Sequence, residues 1–213
     1  MSIVLVGSNP GLLLYADDEP VAAASLWMVD WSVWGFGTVL MAVDERGWRT
    51  VGTDEHLARI LLERFNKHFP EVQSFADQER VRHTDAKVEL TCDLISGVHA
   101  VGGGLELRMG EVKDRRQFSH PAFPLGDIQL GLSNVYLPCG LGELTIDGRH
   151  VGGRPRCEEK DGRWSSTGYL AVAEVWSDPN DELKRAEPVT PSAPVTPSVP
   201  VRARHLRAIG GAS

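Results

Sequence analysis

The chain has 213 residues, of which 42% are hydrophobic and 24% charged, and it carries a net charge of −7. Such a length and composition fit one globular domain with or without a tail. The acidic balance argues against general nucleic-acid binding, because an acidic surface repels phosphates.

Residues 11–15 and 21–29 are apolar runs on either side of Asp17, Asp18, Glu19 and Pro20, which predicts two strands around a tight turn. The second run leads into residues 25–37, which hold Trp27, Trp31 and Trp34, three of the six tryptophans. Their spacing fits a helix. However, Val29, Trp31 and Val33 alternate with Asp30 and Ser32, and Gly35 and Gly37 disfavour helix, so a strand is predicted. On that strand Trp27, Val29 and Trp31 share one face, while Trp34 and Phe36 share the other. The first face is expected to line a barrel lumen, and the second to pack under a helix through Phe65. A hairpin follows over residues 39–43 and 48–52.

A helix is predicted over 54–68. Thr53 is the expected N-cap, and Asp54 and Glu55 suit the positive end of the dipole. Leu57, Ile60, Leu61, Phe65 and Phe69 form one apolar stripe, Lys67 and His68 fall in the last turn, and Pro70 is the stop. Val88, Leu90, Cys92 and Leu94 alternate with polar residues, which predicts a half-buried strand with Cys92 pointing inward. The glycine-rich stretch 97–104 reads as a turn, and Leu105, Leu107 and Met109 alternate again. The stretch 117–124, "QFSHPAFP", reads as an apolar loop over a cavity mouth. Further strands are predicted at 127–132, 135–137, 143–146 and 169–176. Asp147 and Gly148 supply the positive φ of a two-residue hairpin turn.

Beyond Asp178 the unit Pro-Val-Thr-Pro-Ser nearly repeats, at 188–192 and 194–198, and the chain ends near Arg202, Arg204, His205 and Arg207. An extended Pro-rich tail with a basic end is predicted over 181–213, either solvated or docking an acidic partner. Short strands, glycine-rich turns and one helix, with no βαβ alternation and no phosphate-cradling fingerprint, predict a mainly β domain over 1–180. Its form is a calycin-like β-barrel or a strongly bent antiparallel sheet with one amphipathic helix.

The three cysteines, Cys92, Cys139 and Cys157, form no CxxC pair, so reduced thiols in the cytoplasm are the simplest reading. No run reaches the roughly 18 apolar residues of a membrane span, and the first residues lack the pattern of a signal peptide. No HExxH, HxH or HxxxH pair and no GxSxG elbow occurs, so no metal and no cofactor are predicted. His120, among Phe118, Phe123 and two prolines, is the candidate catalytic residue, as a neutral base if an apolar pocket lowers its pKa. The alternative is a structural histidine. Trp27, Trp31, Phe118, Phe123 and Tyr136 are the candidate ligand-binding residues, with core packing as the other use of the tryptophans.

Gly142, Leu144, Ile146, Asp147, Gly148 and Val151 read as Gly-x-Leu-x-Ile-Asp-Gly-x-x-Val. This hairpin resembles lipocalin-like barrel proteins of the hydroxyneurosporene synthase (carotenoid hydratase) and AttH type. The resemblance covers about a tenth of the chain and implies a β-barrel that holds an apolar small molecule. The downstream Asp-His-x-Trp-Gly segment of that group has no counterpart here, so no catalytic residue is carried over. The expected function is that of an enzyme of specialised metabolism acting on a hydrophobic small molecule in a barrel cavity. The alternatives are a non-catalytic carrier of an apolar ligand, or an interaction module using the Pro-rich tail. No nucleic-acid or membrane partner is expected.

Overall fold

The residues that follow Pro20 are buried on both sides of the chain. Ala22, Ala24 and Leu26 belong to one apolar core and Ala23, Trp27 and Val29 to another. A strand apolar on both faces needs a cover on each. A computed structural model of the chain, describing residues 2–75, 77–126 and 128–177, shows what those covers are. The predicted tail over 181–213 lies outside the described residues.

The strands are β1 (Ser2–Ser8), β2 (Gly11–Ala16), β3 (Glu19–Ser32), β4 (Gly37–Asp44) and β5 (Gly47–Val51). Helix α1 (Glu55–Arg64) and two 3₁₀ turns, Asn66–His68 and Pro70–Phe75, come next. They are followed by β6 (Val81–Thr84), β7 (Glu89–Asp93), β8 (Gly97–Gly102), β9 (Leu105–Val112), β10 (Arg116–Leu125) and β11 (Ile128–Ile146). The last are β12 (Arg149–His150), β13 (Cys157–Lys160), β14 (Arg163–Ser166) and β15 (Gly168–Ser177). The protein is thus mainly β with one short α-helix, as predicted.

Strands β1 and β2 run end to end. Both pair with β3 on one side and β15 on the other, so these four close a ring of pairings at the centre of the fold. The line breaks at Pro10, which has no N–H to give the ladder, but its carbonyl still accepts from Leu26 N at 2.9 Å. Strands β9 and β10 likewise follow one another along β11. The main sheet runs β6-β5-β4-β3-β1-β15-β11-β9-β8-β7, antiparallel except for β5 with β6.

One face of the sheet curls on itself. Leu12, Leu14, Leu26, Leu40, Val98, Leu105, Leu107, Leu144 and Leu170 fill its interior. Ion pairs Arg49–Asp147 and Arg149–Asp44 tie β4 and β5 to the β11–β12 turn across this curl. In that turn Asp147 (φ +51°) and Gly148 (φ +73°) take the conformation predicted for them. The opposite face carries the helical segment, whose Leu57, Leu61 and Phe65 pack with Trp27, Trp34, Val39 and Met41.

Several expectations need correction. The helix is capped by Asp54, not Thr53: its Oδ1 accepts from Leu57 N at 2.9 Å. It ends at Arg64 rather than at residue 68, and Pro70 opens a second 3₁₀ turn after Phe69 takes an extended conformation, as a residue before proline does. The three segments predicted at 127–132, 135–137 and 143–146 are one long strand, β11. Residues 97–102 form β8, which confines the turn to Gly103 and Gly104. "QFSHPAFP" is not a loop but part of β10, which among the described residues pairs only with β11 and has a bulge between His120 and Phe123. An edge position and a bulge are where Pro121 costs no ladder bond. Cys92 is exposed: among the described residues β7 ends the sheet and pairs only with β8. Among the described residues no helix is long and apolar enough to cross a membrane.

Candidate functional site

Pairing across the sheet sets side chains in rows. One row runs Phe118, Asn134, Ala173, Gly7 and Val29 through β10, β11, β15, β1 and β3. Beside it Tyr136 faces Ala171, and on the other side Leu132, Val175 and Leu5 stand together. The centre of this patch is therefore glycine and alanine, ringed by larger residues. Phe65, Phe69, Pro70 and Glu71 of the helical segment span it from above. With nothing tall enough below to meet them, a cavity of about 350 Å³ remains. A Cβ at Gly7 would run into the Met28 carbonyl, so close strand packing demands glycine there.

Trp27 forms one wall. Its ring lies edge-on to Phe65 at 5.6 Å and stacked on Phe69 at 6.1 Å, and its indole N–H donates to the buried Asn66 Oδ1 at 3.3 Å. The same side chain thus lines the cavity and supports the helical segment. Trp34 packs edge-on against Phe65 at 5.6 Å, under the helix. Trp31 and Phe36 do not take the places expected of them. A bulge between Val29 and Trp31 turns Trp31 onto the opposite face of β3, beside Val6, and leaves it 50% exposed, and Phe36 is 77% exposed in the turn beyond.

Of the residues named as ligand contacts, Trp27, Phe118, Phe123 and Tyr136 line the cavity and Trp31 does not. The cavity itself lies on the helix-covered face and not inside the curl of the sheet, whose interior is packed with leucine and alanine. His120 is solvent-exposed on β10. Its Nδ1 accepts from Ala122 N at 3.2 Å and its ring meets Phe123 edge-on at 6.3 Å. The apolar enclosure on which a neutral-base role depends is missing.

Five polar residues that sequence reasoning did not single out line the cavity: Ser8, Asn9, Asn134, Glu71 and Tyr169. Asn134 Oδ1 is buried and, among the described residues, has no hydrogen-bond partner. Tyr136 donates its hydroxyl to the Ser166 carbonyl at 2.9 Å. Burial raises the Tyr136 pKa, against the opposing effect of the Arg116 guanidinium, which sits 5.2 Å from the ring centre. The Tyr169 ring lies 5.4 Å from that of Tyr136. Burial first, and then the Glu71 carboxylate, push its hydroxyl well above the ordinary tyrosine range. Both phenols therefore remain protonated donors at neutral pH. Glu71 is half-buried, and among the described residues nothing pairs with it by ion pair or hydrogen bond.

Among the described residues no three of His, Cys, Asp and Glu are placed to hold a metal ion. The hairpin that carries the lipocalin-like resemblance lies away from the cavity, with Leu144, Ile146 and Val151 in the packed core of the curl. No protein-family model, curated protein or solved structure matches the chain.

Proposed function

We propose that the protein binds a small apolar molecule bearing one hydrogen-bond donor in the cavity beneath the helical segment. The observation that carries this reading is a 350 Å³ void lined by aromatic and aliphatic side chains and by one buried acceptor, Asn134 Oδ1, with no partner of its own. Partly enclosed apolar pockets of this volume with a few polar groups are typical of ligand sites. An unpaired buried acceptor costs about 1–3 kcal/mol, which a ligand donor would relieve. The resemblance to lipocalin-like barrel proteins points to the same class of ligand.

A second reading adds catalysis on that ligand, as in an enzyme of specialised metabolism. It is favoured by Glu71, a carboxylate without a partner that acts on the Tyr169 hydroxyl. Glu71 would take a proton from carbon next to a carbonyl, while Tyr169 donates a hydrogen bond to the oxygen that gains the charge. Return of the proton completes an exchange or an isomerisation.

The test is a fluorescence titration with terpenoid and polyketide-like alcohols beside their methyl ethers. Trp27→Phe serves to assign the signal. The alcohols are expected to bind roughly tenfold more tightly than the ethers, and Asn134→Ala to erase that preference. A panel that leaves the fluorescence unchanged rejects the binding site. Deuterium exchange at carbon next to a ligand carbonyl, lost in Glu71→Gln, decides the catalytic reading.

A further inference from the structure

Among the described residues, a cluster of charge opposite in sign to the chain as a whole lies apart from the cavity. Arg46, Arg49, Arg80 and Arg82 surround a hollow of about 260 Å³ beside the β4–β5 turn, together with Trp48 and Asp147. Four guanidiniums against one carboxylate leave a surplus of three positive charges, on a chain whose net charge is −7. Asp147 is already engaged: it is ion-paired with Arg49. That bond, and the charges of Arg49, Arg82 and Arg46 around it, hold its carboxyl below the usual range. Among the described residues Arg46, Arg80 and Arg82 have no acidic partner.

The backbone forces these cations together. Strands β5 and β6 pair in parallel, which sets Arg49 directly beside Arg82, and Trp48 N donates to the Arg80 carbonyl at 2.7 Å. Like charges side by side on neighbouring strands are destabilising. An anion seated between them turns that cost into attraction. Trp48 borders the same hollow, but its ring turns to the other face of β5 and packs in the core under the helix. The donor set is therefore three guanidinium forks.

We propose that this hollow binds the phosphate group of a small phosphate monoester. The planar guanidinium fork matches two oxygens of a tetrahedral oxyanion, and three forks match its three terminal oxygens. A dianion fits a surplus of three charges better than a lone carboxylate does. With each water taking about 30 Å³, the hollow has the room of roughly nine waters, enough for a phosphate and a short organic stub. The chain's overall acidity disfavours a long polyanion, which would feel the whole surface.

The experiment is a titration at constant ionic strength with phenyl phosphate, inorganic phosphate and chloride. It is followed by the ¹⁵N resonances of the arginine side chains and the tryptophan indoles. Saturable shifts with both phosphates and none with chloride are expected. Arg82→Gln and Arg46→Gln should each weaken binding about tenfold, the worth of one charge-assisted bond pair. Both side chains are exposed, so the variants are expected to melt no lower than the wild type. Phosphatidylcholine vesicles doped with phosphatidic acid test the lipid source of the same group. Arginine-dependent capture by vesicles, with no saturable binding of phenyl phosphate, would overturn the small-ester reading. Shifts that grow linearly without saturation, or that survive both substitutions, would overturn the site.

Discussion

Ala173→Leu tests the cavity by filling it. Ala173 sits at the middle of the row, between Gly7 and Asn134, on the floor beneath Phe65 and Phe69. Leucine adds three carbons. At about 0.8 kcal/mol for each buried methylene this gives roughly 2.4 kcal/mol. Fixing the new rotamers takes back about 0.5–1 kcal/mol. No hydrogen bond is lost, because Asn134 Oδ1 has no partner to lose. The net is a stabilisation of about 1.5–2 kcal/mol, which in a chain of this size raises Tm by roughly 3–8 °C. The same substitution occupies the ligand's place, so affinity for the best apolar ligand is expected to fall at least tenfold. Differential scanning calorimetry and the fluorescence titration read the two effects. If the space were already filled, leucine would overpack it and cost about 1–3 kcal/mol. A lowered Tm, or a raised Tm with ligand affinity intact, therefore refutes the reasoning.

Four further substitutions, a thiol-labelling experiment and one pH series probe the frame around the site. Leu61→Ala, at a fully buried position of α1, is expected to cost about 2–5 kcal/mol in chemical denaturation, and Arg59→Ala, on its exposed face, less than about 0.5 kcal/mol. Asp54→Ala removes the bond to Leu57 N and is expected to cost about 1 kcal/mol, whereas Thr53→Ala should cost almost nothing. With a thiol reagent on the native protein, exposed Cys92 is expected to react and buried Cys139 not to. Burial pushes the Cys139 thiol from 9.0 up to about 11, so the folded state favours the protonated form. That contribution is complete below pH 9 and is lost as pH rises through about 11. Tyr136 and Tyr169, both raised, act in the same direction. Stability measured across this range is expected to fall, and less steeply in Cys139→Ala.

Local chemistry was easiest to read where it was decided by neighbours in sequence. The Asp147 and Gly148 turn, the hairpin of β4 and β5, and the stripe of Leu57, Ile60, Leu61 and Phe65 follow from φ preference and periodicity alone. Tertiary pairing set the rest. A single strand from residue 128 to 146 reads as three because its apolar side changes: Leu137 and Cys139 point into the packed curl, and further on so do Leu144 and Ile146. The switch from odd to even positions occurs around Gly140, where the ladder skips a pair opposite Glu111, whose φ is +53°. The register is the same on both sides of that gap, so the strand changes its inward face without an inserted residue and without ending, and periodicity alone cannot distinguish that from a loop. The prolines of β10 misled for a related reason: proline is excluded from central strands but not from an edge with a bulge. Cys92 alternates correctly with Val88 and Leu90, yet alternation says which residues share a face, not whether anything covers it.

The cavity was harder to foresee, because what makes it is the lack of side chains. Gly7, Ala171 and Ala173 are unremarkable in sequence, and they lie far apart in the chain. Only the registers of β1 on β15 and of β15 on β11 bring them to one spot. Aromatic residues were the visible half of the site, and four of the five chosen do surround the void. Their polar counterparts were hidden for a physical reason: Glu71 follows a proline that looked like the end of a helix, and Tyr169 and Asn134 sit in strands that read as ordinary. The helical segment continues past Pro70 as a 3₁₀ turn, and this places Glu71 over the sheet instead of in solvent. A cavity bounded below by strands locked in long ladders and above by a short helix and two 3₁₀ turns has unequal walls. The floor is held by main-chain hydrogen bonds on both sides of β1 and β15. The roof rests on the packing of Phe65, Phe69, Val72 and Phe75 and on the side-chain bond from Trp27 to Asn66. Ligand entry that requires the roof to lift therefore breaks apolar contacts and one hydrogen bond, and leaves the ladders intact. Trp27→Phe, which removes that bond and keeps the ring, is expected to speed ligand exchange more than it lowers Tm. Equal exchange rates in stopped-flow fluorescence through Trp34 would show that entry does not pass beneath the 3₁₀ turns.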